Sequence, residues 1–309
     1  MRKKIALITP YGAEPRLDNY PEFILAQSLH ERGWNVRLYT YAARDLPTYS
    51  HDFVYKNITV VRARHRFGLS PRLFMSMLFF APQSILCFHP RNFLSFSAYW
   101  AARILRARFI VEIIGILHDP YVVNDTDDPE HNLKDPIFLI TNFFALVRSL
   151  GSARMLLLWE NYLLHMPTAC ADTILAINET ERKYIRSVYG RDSVLIYACA
   201  PRALVGEPPV DASFKIPRPF LFFIGQVKRR KGWDTAIDAL AALERRGRSS
   251  HLVFVSPRSD QSEAQSYAGA RGVLGQMTFL SSISNEQKSW LYQHCEYVLI
   301  PSRYESFGL

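Results

Sequence analysis

Short unbroken apolar runs alternate along this chain with segments whose apolar residues recur every three or four positions, so strands and helices are predicted in turn. Residues 5–8 (Ile-Ala-Leu-Ile) read as a first strand ending at Thr9-Pro10. A helical pattern through Phe23, Ile24, Ala26 and Leu29 follows, closing at Arg32-Gly33, and a strand resumes over residues 35–40. This strand–helix–strand order opens a doubly wound parallel sheet. Further strands are predicted at residues 58–62, 84–88, 109–114, 171–177 and 194–197, with helices at about 94–105 and at 179–189, the latter stopped by Gly190. Residues 137–165 are mostly apolar and helical, which fits either core helices or one lying on a membrane surface.

Pro201, Gly206, Pro208, Pro209, Pro217 and Pro219 crowd a stretch without periodicity, the clearest domain boundary in the chain. The predicted organisation is a first domain over 1–205, a linker over 206–218 and a second α/β domain over 219–309. Beyond the linker the alternation restarts with Phe220, Leu221, Phe222, Phe223 and Ile224, a buried parallel strand that ends at Gly225. Lys228, Arg229, Arg230 and Lys231 then lead through Gly232 into a helix with Ala236, Ile237, Leu240 and Leu243 on one face and Asp234 and Asp238 off it. A strand that delivers basic side chains to the free N–H groups of a helix start is suited to bind an anion, phosphate above all. The alternative is a solvated basic loop, since neither the G-x-G-x-x-G nor the G-x-x-x-x-G-K-[ST] fingerprint is present. Strands at 251–255, 276–280 and 297–300 complete the pattern, and Ser284-Asn285-Glu286-Gln287 reads as a capping box. The chain stops at a strand end where a helix should follow, which reads as a C-terminal truncation.

At 309 residues there is enough chain for two cores, and 49% hydrophobic with 21% charged residues excludes wholesale disorder. Cys87, Cys170, Cys199 and Cys295 are widely spaced with no C-x-x-C, which points to reduced thiols and neither a zinc site nor a disulfide framework. The opening apolar run is too short for a signal peptide, and the later ones fall short of a membrane span, so a cytoplasmic protein is expected. The net charge of +9 is uneven: residues 1–110 carry sixteen Lys and Arg against six Asp and Glu. Arg62, Arg64, Arg66 and Arg72 lie among Phe67, Leu69, Leu73, Phe74, Met75 and Met77, a mixture that fits an anionic membrane surface or a solvated rim beside a core helix. No nucleic-acid motif accompanies the patch, so no nucleic-acid partner is expected.

Two other groups carry chemistry. His118 and Asp119 follow the predicted strand at 109–114, at the carboxyl end where open α/β sheets bind ligands. Asp125, Asp127, Asp128, Glu130 and His131 would suit a divalent metal, yet acidic residues among Asn, Pro and Thr are ordinary in loops.

Phe223-Ile224-Gly225 with Lys231-Gly232, and then Pro301-Ser302 with Tyr304-Glu305-Ser306-Phe307-Gly308-Leu309, together resemble the group 1 (family 4-type) retaining glycosyltransferases of GT-B fold. The helix ending at Arg32-Gly33, His118-Asp119, and Ala171-Asp172 before the next strand also have counterparts in that family. The resemblance implies two Rossmann-like domains facing across a cleft, the second incomplete here, and transfer of a sugar from a UDP- or GDP-type donor to a sugar or lipid-linked acceptor. It implies that Lys231, with Arg229 or Arg230, neutralises the leaving diphosphate, since Gln226 stands where many members carry arginine. It also implies that Glu305 binds donor hydroxyls, that Gly225 and the backbone at Ser306, Phe307 and Gly308 contact the donor, and that His118 and Asp119 reach its sugar. No metal or other cofactor is expected. The competing expectations are an inactive chain of the same fold, and a basic module that binds membranes or polyanions.

Overall fold

Ala6 and Ile8 face one side of a sheet and Ile5 and Leu7 the other, and all four are buried, so the first strand needs helices on both of its faces. The computed structural model describes residues 3–10, 21–41, 52–63, 69–114, 147–148, 155–197, 216–281 and 283–303. Those up to 197 form one compact unit and those from 216 to 303 another.

In the first unit β1 (Lys4–Ile8), β2 (Asn35–Tyr41), β3 (Phe53–Tyr55), β4 (Ile58–Ala63), β5 (Ser84–Phe88), β6 (Arg108–Ile113), β7 (Thr173–Ala176) and β8 (Val194–Leu195) make an eight-stranded sheet. Its order is β3-β4-β2-β1-β5-β6-β7-β8, parallel except for the β3–β4 hairpin. The helices are α1 (Pro21–Glu31), α2 (Pro71–Phe80), α3 (Phe93–Leu105), α4 (Met155–Ala169) and α5 (Glu179–Tyr189). Phe23 and Ala26 of α1 pack on Leu7, Leu38 and Leu86, while α2, α3 and α5 cover the opposite face around Ile8, Cys87, Phe109 and Val111. Among the described residues no helix is long and apolar enough to cross a membrane. Cys87, Cys170 and Cys295 are free thiols.

The basic patch expected in this unit is not a patch as drawn. Arg62 is 1% exposed, with its guanidinium carbon 4.4 Å from the centre of the Phe53 ring, so it faces the hairpin and not a membrane. Arg72 is exposed but pairs with Asp52 at 2.9 Å and donates to the Arg62 carbonyl at 2.7 Å. Arg64 and Arg66 lie outside the described residues.

In the second unit β9 (Phe220–Ile224), β10 (His251–Val255), β11 (Met277–Leu280) and β12 (Tyr297–Val298) form a parallel sheet of order β11-β10-β9-β12. Leu221 and Phe223 pack against α6 (Trp233–Arg245) and α7 (Gln261–Ala270). Phe220 and Phe222 pack on the other face with Trp290 and Leu291 of α8 (Asn285–His294). Each such side chain contributes about 1.5–3 kcal/mol by leaving water. The capping box at Ser284 is present, with Gln287 N–H donating to Ser284 Oγ and the Gln287 side chain accepting from Ser284 N–H.

Candidate functional site

β9 is the strand from which the second unit is wound in both directions. One crossover runs through α6 to β10 on one side of it, and the chain later returns through α8 to β12 on the other. The strand order therefore reverses between β9 and β12, and the crevice outside the carboxyl ends of such a pair is where open parallel sheets bind ligands. The basic loop leaves the end of β9, and Pro301-Ser302-Arg303 follows the end of β12.

The loop is tightly built. Gly225 N–H donates to the Val255 carbonyl at 3.0 Å, which closes the strand end. Lys228 N–H reaches the Gln226 carbonyl at 2.8 Å, and Arg229–Lys231 make a single 3-10 turn. The stem of Lys231 runs back beside the strand, since a Cβ on Gly225 would lie 3.8 Å from Lys231 Cγ. Gly232 then takes a left-handed conformation, φ 64°, and α6 begins at Trp233. A Cβ on Gly232 would stand 2.0 Å from the Pro301 carbonyl oxygen, so the segment after β12 rests directly on the turn.

Two residues tie these segments together, and neither was marked as a site residue on sequence grounds. Arg303 N–H donates to the Arg230 carbonyl at 2.9 Å. Its guanidinium donates to the Arg229 carbonyl and, as a fork, to Asp234 Oδ1 at 3.0 Å and Oδ2 at 2.8 Å. The Arg303 hydrogen bond holds the Asp234 carboxyl below the usual carboxylate range despite partial burial, helped by the neighbouring amides of Thr235 and Asp234. The amides of Asp234 and Thr235 at the start of α6 thus act on the Asp234 carboxylate.

Gly225, Arg229, Arg230 and Lys231 are thus gathered at one strand end. Glu305, Ser306, Phe307 and Gly308 follow Arg303 in the chain and lie outside the described residues, as do His118 and Asp119 after β6 and the acidic stretch from Asp125 to His131. Among the described residues no cluster of His, Cys, Asp and Glu is arranged to hold a metal ion.

A second polar group missed by sequence reading lies at the carboxyl ends of β5, β6 and β7. Glu22, in the first turn of α1, is 6% exposed, and its Oε1 lies 3.9 Å from His89 Nε2. Glu181 Oε2 accepts from Ile177 N–H at 3.1 Å. Burial first, then repulsion from Glu22 and Glu181, pushes Glu112 of β6 up to about 7. The folded protein thus holds a proton there that the unfolded chain releases near pH 4.5, so stability falls as pH rises from about 4.5 to 7 and is level beyond. Glu112→Gln, neutral at every pH, is expected to abolish this fall and to stabilise the protein above pH 7 by on the order of 1–3 kcal/mol. Urea midpoints at pH 4.5 and pH 8 check it, and equal pH sensitivity in the two proteins would show that Glu112 titrates normally.

Residues 211–309 match the family model of glycosyl transferases group 1. The likeness to that family thus lies in the second unit. The chain resembles the alpha-D-kanosaminyltransferase of Streptomyces kanamyceticus, 32% identical over 92 residues, which cover 30% of this chain and 24% of that protein. The match thus spans about a quarter of the length of the curated relatives it reaches. Solved structures extend the likeness to the first unit. Sucrose-phosphate synthase from Thermosynechococcus elongatus aligns with 100% of this chain and 77% of its own at TM-score 0.61 and 18% identity. Anabaena HepE in complex with UDP-glucose aligns with 96% of this chain and 72% of its own at TM-score 0.59 and 15% identity. At such identities what is shared is the fold, and it is the GT-B fold of two Rossmann-like domains. The stretch that matches the family model includes the β9–β12 switch point and the basic turn.

Proposed function

We propose that this protein is a retaining glycosyltransferase that moves a sugar from a UDP- or GDP-linked donor to an acceptor hydroxyl. The observation that carries the reading is the placement of Arg229, Arg230 and Lys231 at the β9 end of the switch point, inside the stretch that matches group 1 glycosyltransferases. When the bond from the sugar to the diphosphate breaks, the electron pair stays with the phosphate oxygen, and stabilising that growing negative charge is the main electrostatic demand of the reaction. Lys231, with Arg229 or Arg230 beside it, meets that demand from protein side chains, so the reading needs no divalent metal. The acceptor oxygen then takes the place of the phosphate oxygen on the same face of the sugar, and the acceptor's hydroxyl proton passes to the departing diphosphate. Glu305 and the backbone of Ser306, Phe307 and Gly308 hold the donor in this reading, and His118 and Asp119 are assigned to its sugar.

A relative named for kanosaminyl transfer and a structural neighbour solved with UDP-glucose both favour nucleotide sugars as the ligands to try first. The acceptor belongs to the first unit in this reading, as a sugar or lipid-linked hydroxyl at the cytoplasmic membrane face. Arg72 and Met75 of the basic patch, with Phe79 beside them, are exposed along α2 and support a membrane role.

The test is a thermal-shift screen of UDP-, GDP-, ADP- and dTDP-sugars, followed by transfer from the best of them. A donor at a hundred times its Kd stabilises the native state by about 2.7 kcal/mol, a shift of several degrees. If no nucleotide sugar shifts the transition at millimolar concentration, the reading falls.

A further inference from the structure

Asp234 is a puzzle in a phosphate site. It stands in the first turn of α6, beside three cationic residues, where a carboxylate opposes any anion the turn attracts. The answer in the structure is Arg303. Its planar fork takes both Asp234 oxygens, at 3.0 and 2.8 Å, while the same guanidinium holds the carbonyl of Arg229 and its own backbone N–H holds that of Arg230. The pair is only partly exposed, 31% for Arg303 and 25% for Asp234, so water screens it less than an open surface pair. The partners are 69 residues apart in sequence, and Glu305 follows Arg303 by two positions.

We propose that Arg303 is a positioning residue of the donor site, a role that rests on the glycosyltransferase reading. It acts in two ways. It balances the Asp234 charge, so that this carboxylate does not oppose a diphosphate drawn to the basic turn. It also fixes the basic turn against Pro301-Ser302-Arg303, the segment after β12, so that the turn keeps its shape. A lysine cannot do the same, because a single ammonium cannot bridge two carboxylate oxygens and a carbonyl in one plane.

The experiment compares the wild-type protein with Arg303→Gln, Arg303→Lys, Asp234→Asn and the double variant Arg303→Gln/Asp234→Asn. The readouts are titration with UDP and GDP alone and amide hydrogen exchange in the ligand-free protein. Arg303→Gln is expected to weaken nucleoside diphosphate binding at least tenfold and to speed exchange at the amides of Lys231 and Gly232, whose bonds to Lys228 and Arg229 close the turn. Arg303→Lys should recover little of either. The double variant should regain part of the affinity, since the unbalanced carboxylate is gone, while its turn still exchanges fast. A merely architectural arginine would show no such rescue, and its absence overturns the electrostatic half of the proposal. Arg303→Gln with wild-type affinity and exchange overturns the whole of it. A wild-type protein that binds neither diphosphate instead overturns the glycosyltransferase reading, and the donor role of Arg303 with it, so the two failures are told apart.

Discussion

Gly232→Ala is expected to cost the second unit several kcal/mol of stability and to abolish binding at the candidate donor site. Two penalties combine. The residue sits at φ 64°, ψ 26°, a left-handed conformation that costs an ordinary L-residue roughly 1–2 kcal/mol. The new methyl would also lie 2.0 Å from the Pro301 carbonyl oxygen, and since that atom is backbone, the strand end or the turn must move. Overpacking of this kind costs about 1–3 kcal/mol more. Gly247 supplies the control, because it too has positive φ, 69°, but nothing lies within 4 Å of a Cβ built there. Gly247→Ala should therefore show the conformational cost alone. Urea unfolding of the two variants separates the terms, and equal destabilisation would mean that the approach of Pro301 to Gly232 is not as close as described.

Lys231→Ala is expected to lower kcat/KM for the nucleotide-sugar donor by about 100- to 1000-fold, the usual consequence of removing one preorganised charge from a developing anion. Most of the loss should appear in kcat, because the charge on the bridging oxygen is larger in the transition state than in the bound donor. Stability should change little, since the turn's backbone bonds, Lys231 N–H to Lys228 and Gly232 N–H to Arg229, survive the truncation. Steady-state kinetics with a thermal melt on the same sample decides the matter. Unaltered kinetics would remove Lys231 from the site and return the turn to an ordinary solvated loop.

Several features were legible in the sequence because they depend on neighbours a few residues away. Phe220–Ile224 and His251–Val255 are strands with the bounds their apolar runs suggest, and the Ser284 capping box needs only residues three apart. Short, weak signals were not. The helix Gln261–Ala270 buries only Ala264 and Ala268, too little apolar surface to register as a face. Arg62 read as surface because arginine usually is. It lies in β4, in a sheet covered on both sides, and the β3 hairpin that brings Phe53 over it comes from a three-residue strand. Glu112 passed as one polar position in an apolar strand, and its perturbation comes first from burial and then from Glu22 and Glu181, far away in sequence. The basic turn was visible from its composition, while its fastening to Asp234 through Arg303 was not. That contact exists only because β12 pairs with β9 instead of continuing outward past β11.

The late return of β12 also bears on how the chain survives its own synthesis. Phe220–Ile224 is wholly apolar, and among the described residues one side of its hydrogen-bonding ladder is covered only by Tyr297–Val298, made more than seventy positions later. Until those residues emerge, the most hydrophobic strand of the second unit offers an open edge, the kind of surface to which other chains add themselves. The Pro301–Gly232 approach and the Arg303 fork lie just beyond that short cover and hold it down, so the contacts that shape the candidate donor site also guard the protein against aggregation.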